Sequence, residues 1–194
     1  MLYVKHNTET DTLEWLHDGE LLYGDLGYLP PNIYTVEGGS NPYGKQIDAY
    51  GFKWNEDRTE VLFDPVYVDI PIEQFKEERR ALVAETRWNY EVAGVYVNGH
   101  LYSTDDRSQT KYLALIMACQ MDPNYTVNFK TTGGAFVHLN AMDIMTITTI
   151  VRQYIQACFD HEEVLLQQVE DATTLTELDA VDYTAGWPSN TTYA

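Results

Sequence analysis

The sequence predicts an α+β protein: an N-terminal region of antiparallel β-hairpins, then a C-terminal region of two small hairpins packed with three or four helices, one of them long. Three observations predict it. Before residue 70 the apolar runs are short, alternate with polar residues and are broken by turn-forming clusters. From Pro71 the apolar spacing becomes helical. Between the helical segments stand two hairpin turns, Asn98-Gly99 and Thr131-Thr132-Gly133-Gly134.

The elements follow in order. Leu2-Tyr3-Val4 and Leu13-Glu14-Trp15-Leu16 flank the polar stretch Asn7–Asp11, a hairpin with a loop of moderate length. His17-Asp18-Gly19 marks another turn, and Tyr28–Asn41, with Pro30-Pro31 and Gly38-Gly39, reads as extended loop. Tyr50–Trp54 and Val61-Leu62-Phe63 form a second hairpin around Asn55–Arg58, and Val66-Tyr67-Val68 is a further strand. Pro71 suits a first helical turn and Glu73 suits the positive end of the dipole, so a helix runs from Pro71 to Tyr90. Its apolar stripe is interrupted by Arg79 and Thr86. The junction between two regions, 1–70 and 71–188, falls at its start, and 189–194 forms a tail.

Val95-Tyr96-Val97 and His100-Leu101-Tyr102 pair across Asn98-Gly99, whose residues tolerate positive φ. Thr104 or Asp105 caps a helix that ends at Met121, before Pro123. Thr126–Phe129 and Ala135–Leu139 form the next hairpin. Asn140 with Asp143 resembles a capping box, and the long helix it opens carries Ile144, Ile147, Val151, Tyr154, Cys158, Leu165 and Val169 at about 3.5-residue spacing. Thr174 with Glu177 is a better capping box, opening a short helix to Val181. The expected cores are Trp15, Phe52, Trp54, Leu62 and Phe63 in the first region, and Val97, Leu113, Ile116, Ile147, Val151 and Tyr154 in the second.

Composition narrows the function. With 194 residues, 44% of them apolar, the chain can bury roughly 70% of its unfolded surface, which excludes disorder for the whole chain. Thirty acids against 12 Lys and Arg give a net charge of −18, a surface that repels phosphate backbones and anionic lipid, so nucleic acid is not expected as a partner. The longest apolar run, Tyr112–Cys119, is far short of the roughly 20 residues of a membrane span, and no signal peptide opens the chain. Cys119 and Cys158 read as buried free thiols of a protein made in a reducing cytosol. Fifteen of the 25 aromatics are Tyr, a bias shared by interfaces, sugar-binding faces and half-exposed sheets.

No chemistry-bearing motif survives inspection. Gly39–Gln46 nearly spells a phosphate-binding loop, but Gln46 stands where Ser or Thr would hold magnesium, and a strand-like segment follows in place of a helix. Asp160-His161-Glu162-Glu163 is rich in metal ligands, yet Leu165 occupies the position four after His161, so it reads as a solvated helix face. His100, Ser103 and Asp105 are close in sequence without assembling a triad, and no Gly-x-Ser-x-Gly elbow exists. The expectation is therefore a protein that is not an enzyme, with no catalytic residue, no metal ligand and no cofactor.

A larger pattern runs from Phe75 to Pro188. Gly94–Asp105 with Ser108-Gln109, then Phe129-Lys130-Thr131 with Phe136-Val137, then Ala157-Cys158-Phe159, then Leu178–Asp182 and Ala185-Gly186-Trp187-Pro188, occur in fixed order. In this order they resemble the C-terminal domain of unknown function found in tailed-bacteriophage tail-fibre and tail-fibre-assembly proteins. The resemblance implies a structural tail component, a tail-fibre, baseplate or adaptor subunit, made in the host cytoplasm and resident in the virion tail, with other tail proteins as partners. It brings no catalytic residues. Two alternatives stand beside it: an assembly chaperone absent from the mature virion, and a module that binds host-surface polysaccharide. It also implies a homo-oligomer, with a trimer as first choice. The stripe from Asn140 to Glu170 could form that seam, or could pack within one chain against the Pro71–Tyr90 helix.

The segment Asp182–Ala194 is expected to dock on another surface. It follows a stretch without Lys or Arg, and Tyr183, Trp187, Pro188 and Tyr193 supply rings and a stiffened turn of the type that fills partner pockets. The competing reading is that Trp187 folds back over the end of the long helix.

Overall fold

The computed structural model describes residues 1–17 and 29–191. The chain divides into two compact units, Met1–Pro71 and Ile72–Ala194.

Unit one is built from antiparallel strands. β1 (Leu2–Asn7) lies between β2 (Thr12–Leu16) and β3 (Ile33–Val36). β4 (Lys45–Ala49) pairs with β7 (Val66–Asp69), and β5 (Phe52–Trp54) with β6 (Val61–Phe63). The β1–β2 turn is closed by Asn7 Oδ1, which accepts from the amides of Glu9 and Thr10. Val4, Val36 and Val61 form the core, with Leu2, Leu13, Tyr34, Phe52, Trp54 and Phe63 packed against it. Two expectations are corrected. Leu62 is exposed, because side chains alternate along β6 and Val61 takes the inward place. Trp15 lies outside the core cluster, stacked on Tyr50 at 4.0 Å. The stretch expected as loop contains β3, whose Ile33 and Val36 are buried. The turn expected at His17-Asp18-Gly19 falls, beyond His17, outside the described residues, as does Tyr28.

Unit two is organised by one helix. Its elements are α1 (Ile72–Glu91), the hairpin β8 (Val95–Val97) and β9 (His100–Tyr102), α2 (Asp106–Met121), the hairpin β10 (Thr126–Lys130) and β11 (Phe136–Asn140), α3 (Ala141–Asp171) and α4 (Leu175–Asp179). Both capping boxes are formed, at Asn140 with Asp143 and at Thr174 with Glu177. The β8–β9 turn takes φ +49° at Asn98 and +77° at Gly99, as a tight hairpin of right-handed twist requires. α3 has 31 residues and is about 46 Å long, enough to serve two cores. Its Ile144, Ile147, Val151, Tyr154 and Cys158 pack with the hairpins and α2; its Leu165 and Val169 pack with Val83 of α1 and Leu178 of α4. The 3.5-residue stripe is thus buried inside the unit, packed within one chain against its own helices and hairpins. Leu113 of α2, expected in the core, is 61% exposed, since α2 turns Ser108, Tyr112 and Cys119 inward and has more apolar residues than that face can hold.

α1 also supplies what α3 lacks at its C-terminus, a cation. Lys76 is buried and donates from Nζ to the Glu170 carbonyl at 2.7 Å, meeting one of the last four orphan acceptors of α3 and its negative dipole end.

The start of α2 gives a pH dependence. The Asp105 carboxylate accepts from Ser103 Oγ at 2.5 Å and from the Ser108 amide at 2.7 Å, and these bonds hold its pKa below the usual carboxylate value. A depressed carboxylate contributes stability that is present above its unfolded pKa and is lost as pH falls through the folded one. Asn caps about as well without a charge. The gap in urea midpoint between wild type and Asp105→Asn should therefore be constant above about pH 5 and close towards about pH 2.

Candidate functional site

The chain after α4 lies along α1 and α3, and each contact has a local cause. Asp182 Oδ1 accepts from the Thr184 amide at 2.9 Å and the Thr184 hydroxyl at 2.6 Å, turning the backbone; these bonds lower the Asp182 pKa. Arg79 of α1 donates to the Val181 carbonyl at 3.1 Å and to Asp179 at 3.2 Å, and its guanidinium lies 5.1 Å from the Tyr183 ring centroid. Trp187 donates from Nε1 to the Tyr183 carbonyl at 2.9 Å, which folds the segment into a loop around its own indole. The indole stacks on Tyr90 at 5.3 Å and meets the edge of His161 at 4.7 Å. His161 Nε2 bonds the Ala185 carbonyl at 2.9 Å; a carbonyl only accepts, so that nitrogen carries the proton. Gly186 has φ +85°, and a Cβ there would stand 2.7 Å from the His161 ring, so any side chain at this bend is strained and must displace the imidazole. Further on, the Tyr96 amide of β8 donates to the Asn190 carbonyl at 3.0 Å.

Beneath this strap sits an ion cluster. Arg87 pairs with Glu91 on its own helix and with Glu162 of α3 at 3.2 Å, while its guanidinium covers the Phe159 ring at 4.6 Å. Glu91 is only 5% exposed. The Glu91 carbonyl accepts from Thr104 Oγ1, which itself accepts from the Gly94 amide at 3.0 Å. Tyr154 donates to the Tyr90 carbonyl at 2.7 Å. Cys158 is fully buried beside them, and burial pushes its thiol up to about 11, so it is not a nucleophile at neutral pH.

Of the four expected interface residues, Tyr183, Trp187 and Pro188 are half-buried on their own unit, and Tyr193 lies outside the described residues. Trp187 lies folded back on its own unit, as in the competing reading, onto His161 in the body of α3 and Tyr90 at the end of α1. What the sequence reading missed is the receiving side, Arg79, Tyr90 and His161. Arg79 did leave a signal, because a charge interrupting an apolar stripe must find partners.

The sequence cluster Asp160–Glu163 is taken apart by the fold. Asp160 accepts from Gln156, His161 bonds Ala185, and Glu162 pairs with Arg87. Among the described residues no three His, Cys, Asp or Glu converge as metal ligands. Ser103 bonds the capping Asp105 and not His100. Lys45, in the loop that imitates a phosphate site, pairs with Asp69 at 2.9 Å and opens β4. No helix among the described residues is long and apolar enough to cross a membrane.

The arrangement suits binding and bracing, with its polar groups already engaged by one another. No curated protein and no solved structure matches the chain. A family model matches residues 74–185, from the first turn of α1 to the middle of the strap, more than half of the chain. The chain therefore belongs to the family described as Domain of unknown function (DUF4376).

Proposed function

We propose that the chain is a structural component of a bacteriophage tail, a tail-fibre, baseplate or adaptor subunit that acts through protein–protein contacts. The observation that carries this reading is the ordered series of segments from Phe75 to Pro188, which resembles the C-terminal domain of tail-fibre and tail-fibre-assembly proteins. In the structure these segments all belong to unit two. Gly94–Asp105 forms the β8–β9 hairpin and the cap of α2, and Ala185–Pro188 straps the same unit closed. Residues whose job is to hold one rigid body suit a part that bears load between neighbours. In this reading the chain has no substrate, cofactor or metal, is made in the host cytoplasm and resides in the virion tail. The test is mass spectrometry of purified phage particles from the lysate that contains this chain. Peptides of the chain at a fixed ratio to the tail proteins are expected. Their absence from particles, with the chain present in the lysate, overturns the structural role and favours a chaperone.

A further inference from the structure

The outer face of the α2–α3 pair is apolar and uncovered. The two helices run antiparallel: the first half of α2 shares a groove with Thr148–Ile155, and the chain just past its C-terminus meets Asn140–Met142. The groove has a volume of about 460 Å³ and is lined by Leu113, Ile116, Val151 and Ile155, with Asp106 and Arg152 also in its wall. By helical spacing Met117 (56% exposed) and Met121 (87%) continue the row of Leu113 on α2, and Met145 (57%) and Met142 (76%) stand one and two turns before Thr148 of the groove on α3. On α2, Leu113, Met117 and Met121 fall four residues apart, one stripe on one face. Single exposed apolar residues are ordinary, but a contiguous patch of this kind marks an interaction site. Methionine side chains also adapt their shape to a partner surface.

We infer that this face binds a second copy of the same chain, α2 and α3 of each forming an antiparallel four-helix bundle. Three features of the face choose that occupant. The apolar area left in water by Leu113, Met117, Met121, Met142 and Met145 is on the order of the 800 Å² that one partner buries in a standard interface. The groove's charges are self-complementary: among the described residues neither Asp106 nor Arg152 has an ion-pair partner, although both line the same groove. A two-fold axis running along the groove lays α2 of each copy over α3 of the other. It keeps the first turns of the two α2 helices together, so Asp106 of one copy and Arg152 of the other stand about one helical turn apart along the axis, within reach of an arginine side chain, twice. Finally, one acid and one base leave the groove without net charge in a chain of −18, so the face where copies would meet is free of the repulsion that the rest of the surface carries.

The bundle is independent of the tail assignment and is read on the purified full chain. Sedimentation equilibrium should give a dimer, with a Kd in the micromolar range or tighter. Leu113→Glu with Met117→Glu places two carboxylates in the seam and should weaken the dimer roughly thirtyfold or more. Both positions are exposed, so circular dichroism of the variant should match the wild type. Asp106→Arg and Arg152→Asp should each weaken the dimer, and the double exchange should restore it, which a purely structural role for either residue would not produce. A folded monomer at about 100 μM overturns the inference, as does a dimer that Leu113→Glu with Met117→Glu leaves intact.

Discussion

Replacing Arg87 with methionine is expected to destabilise the protein by about 3–5 kcal/mol, the largest single effect in unit two. The reason is what remains behind. Glu91 is almost fully buried and the Glu162 side chain is 15% exposed, and Arg87 is the cation that pairs with both. A buried pair yields modest net stability because desolvation offsets attraction, but a buried carboxylate stripped of its partner has no such compensation. Glu91 is also the last residue of α1, where the helix dipole already disfavours a negative charge. Urea denaturation should show a lower midpoint at an unchanged slope. The triple variant Arg87→Met, Glu91→Leu, Glu162→Leu should recover most of the loss, since well-packed apolar residues can replace a buried ion cluster. A cost of less than about 1 kcal/mol for Arg87→Met would mean that water reaches the cluster.

Trp187→Ala is expected to cost about 2–3 kcal/mol, below the 3–5 of a fully buried aromatic because the indole keeps one side in water. The change removes the stacking on Tyr90, the edge contact with His161 and the bond to the Tyr183 carbonyl together. Gly186→Val should be at least as damaging while leaving the indole in place. Its Cβ is driven into the imidazole, and valine resists the positive φ that the bend needs. Thermal unfolding of the purified chain measures both. A melting curve unaltered by Trp187→Ala would show that the strap contributes nothing to the fold and return it to the role of a docking element.

Local chemistry was legible in the sequence and remote pairing was not. Asn98-Gly99, the Asn140 and Thr174 capping boxes and the stop before Pro123 each involve residues within a few positions of one another, and each is found where the sequence places it. The α3 stripe was equally plain, all seven of its residues being buried, but a stripe says only that something covers it. Whether that cover was a neighbouring copy or the chain's own helices was decided by Lys76, Arg79 and Arg87 reaching residues 75 to 102 positions away. Leu113 was misplaced for a related reason. On α2 apolar residues occur all round the helix, so periodicity cannot separate the face that meets α3 from the face left outside. The candidate site was half legible: the rings of the strap were evident, and the surface that receives them was not.

The strap has a consequence for how the protein is made. Bonds from α1 to residues 170, 179 and 181, and from β8 to residue 190, join positions about a hundred apart along the chain. The strands of unit one pair only with one another, all within the first 69 residues, so that unit can close while the rest is still being translated. Unit two has no such freedom. Until the end of α3 and the strap have left the ribosome, Val83, Arg79 and the Tyr90 ring lack Leu165, Val181 and Trp187, and that flank of α1 stays open to water. A prematurely terminated product would therefore carry its own mark, an uncovered helix that proteases and chaperones can recognise, and only chains translated past the strap would escape it.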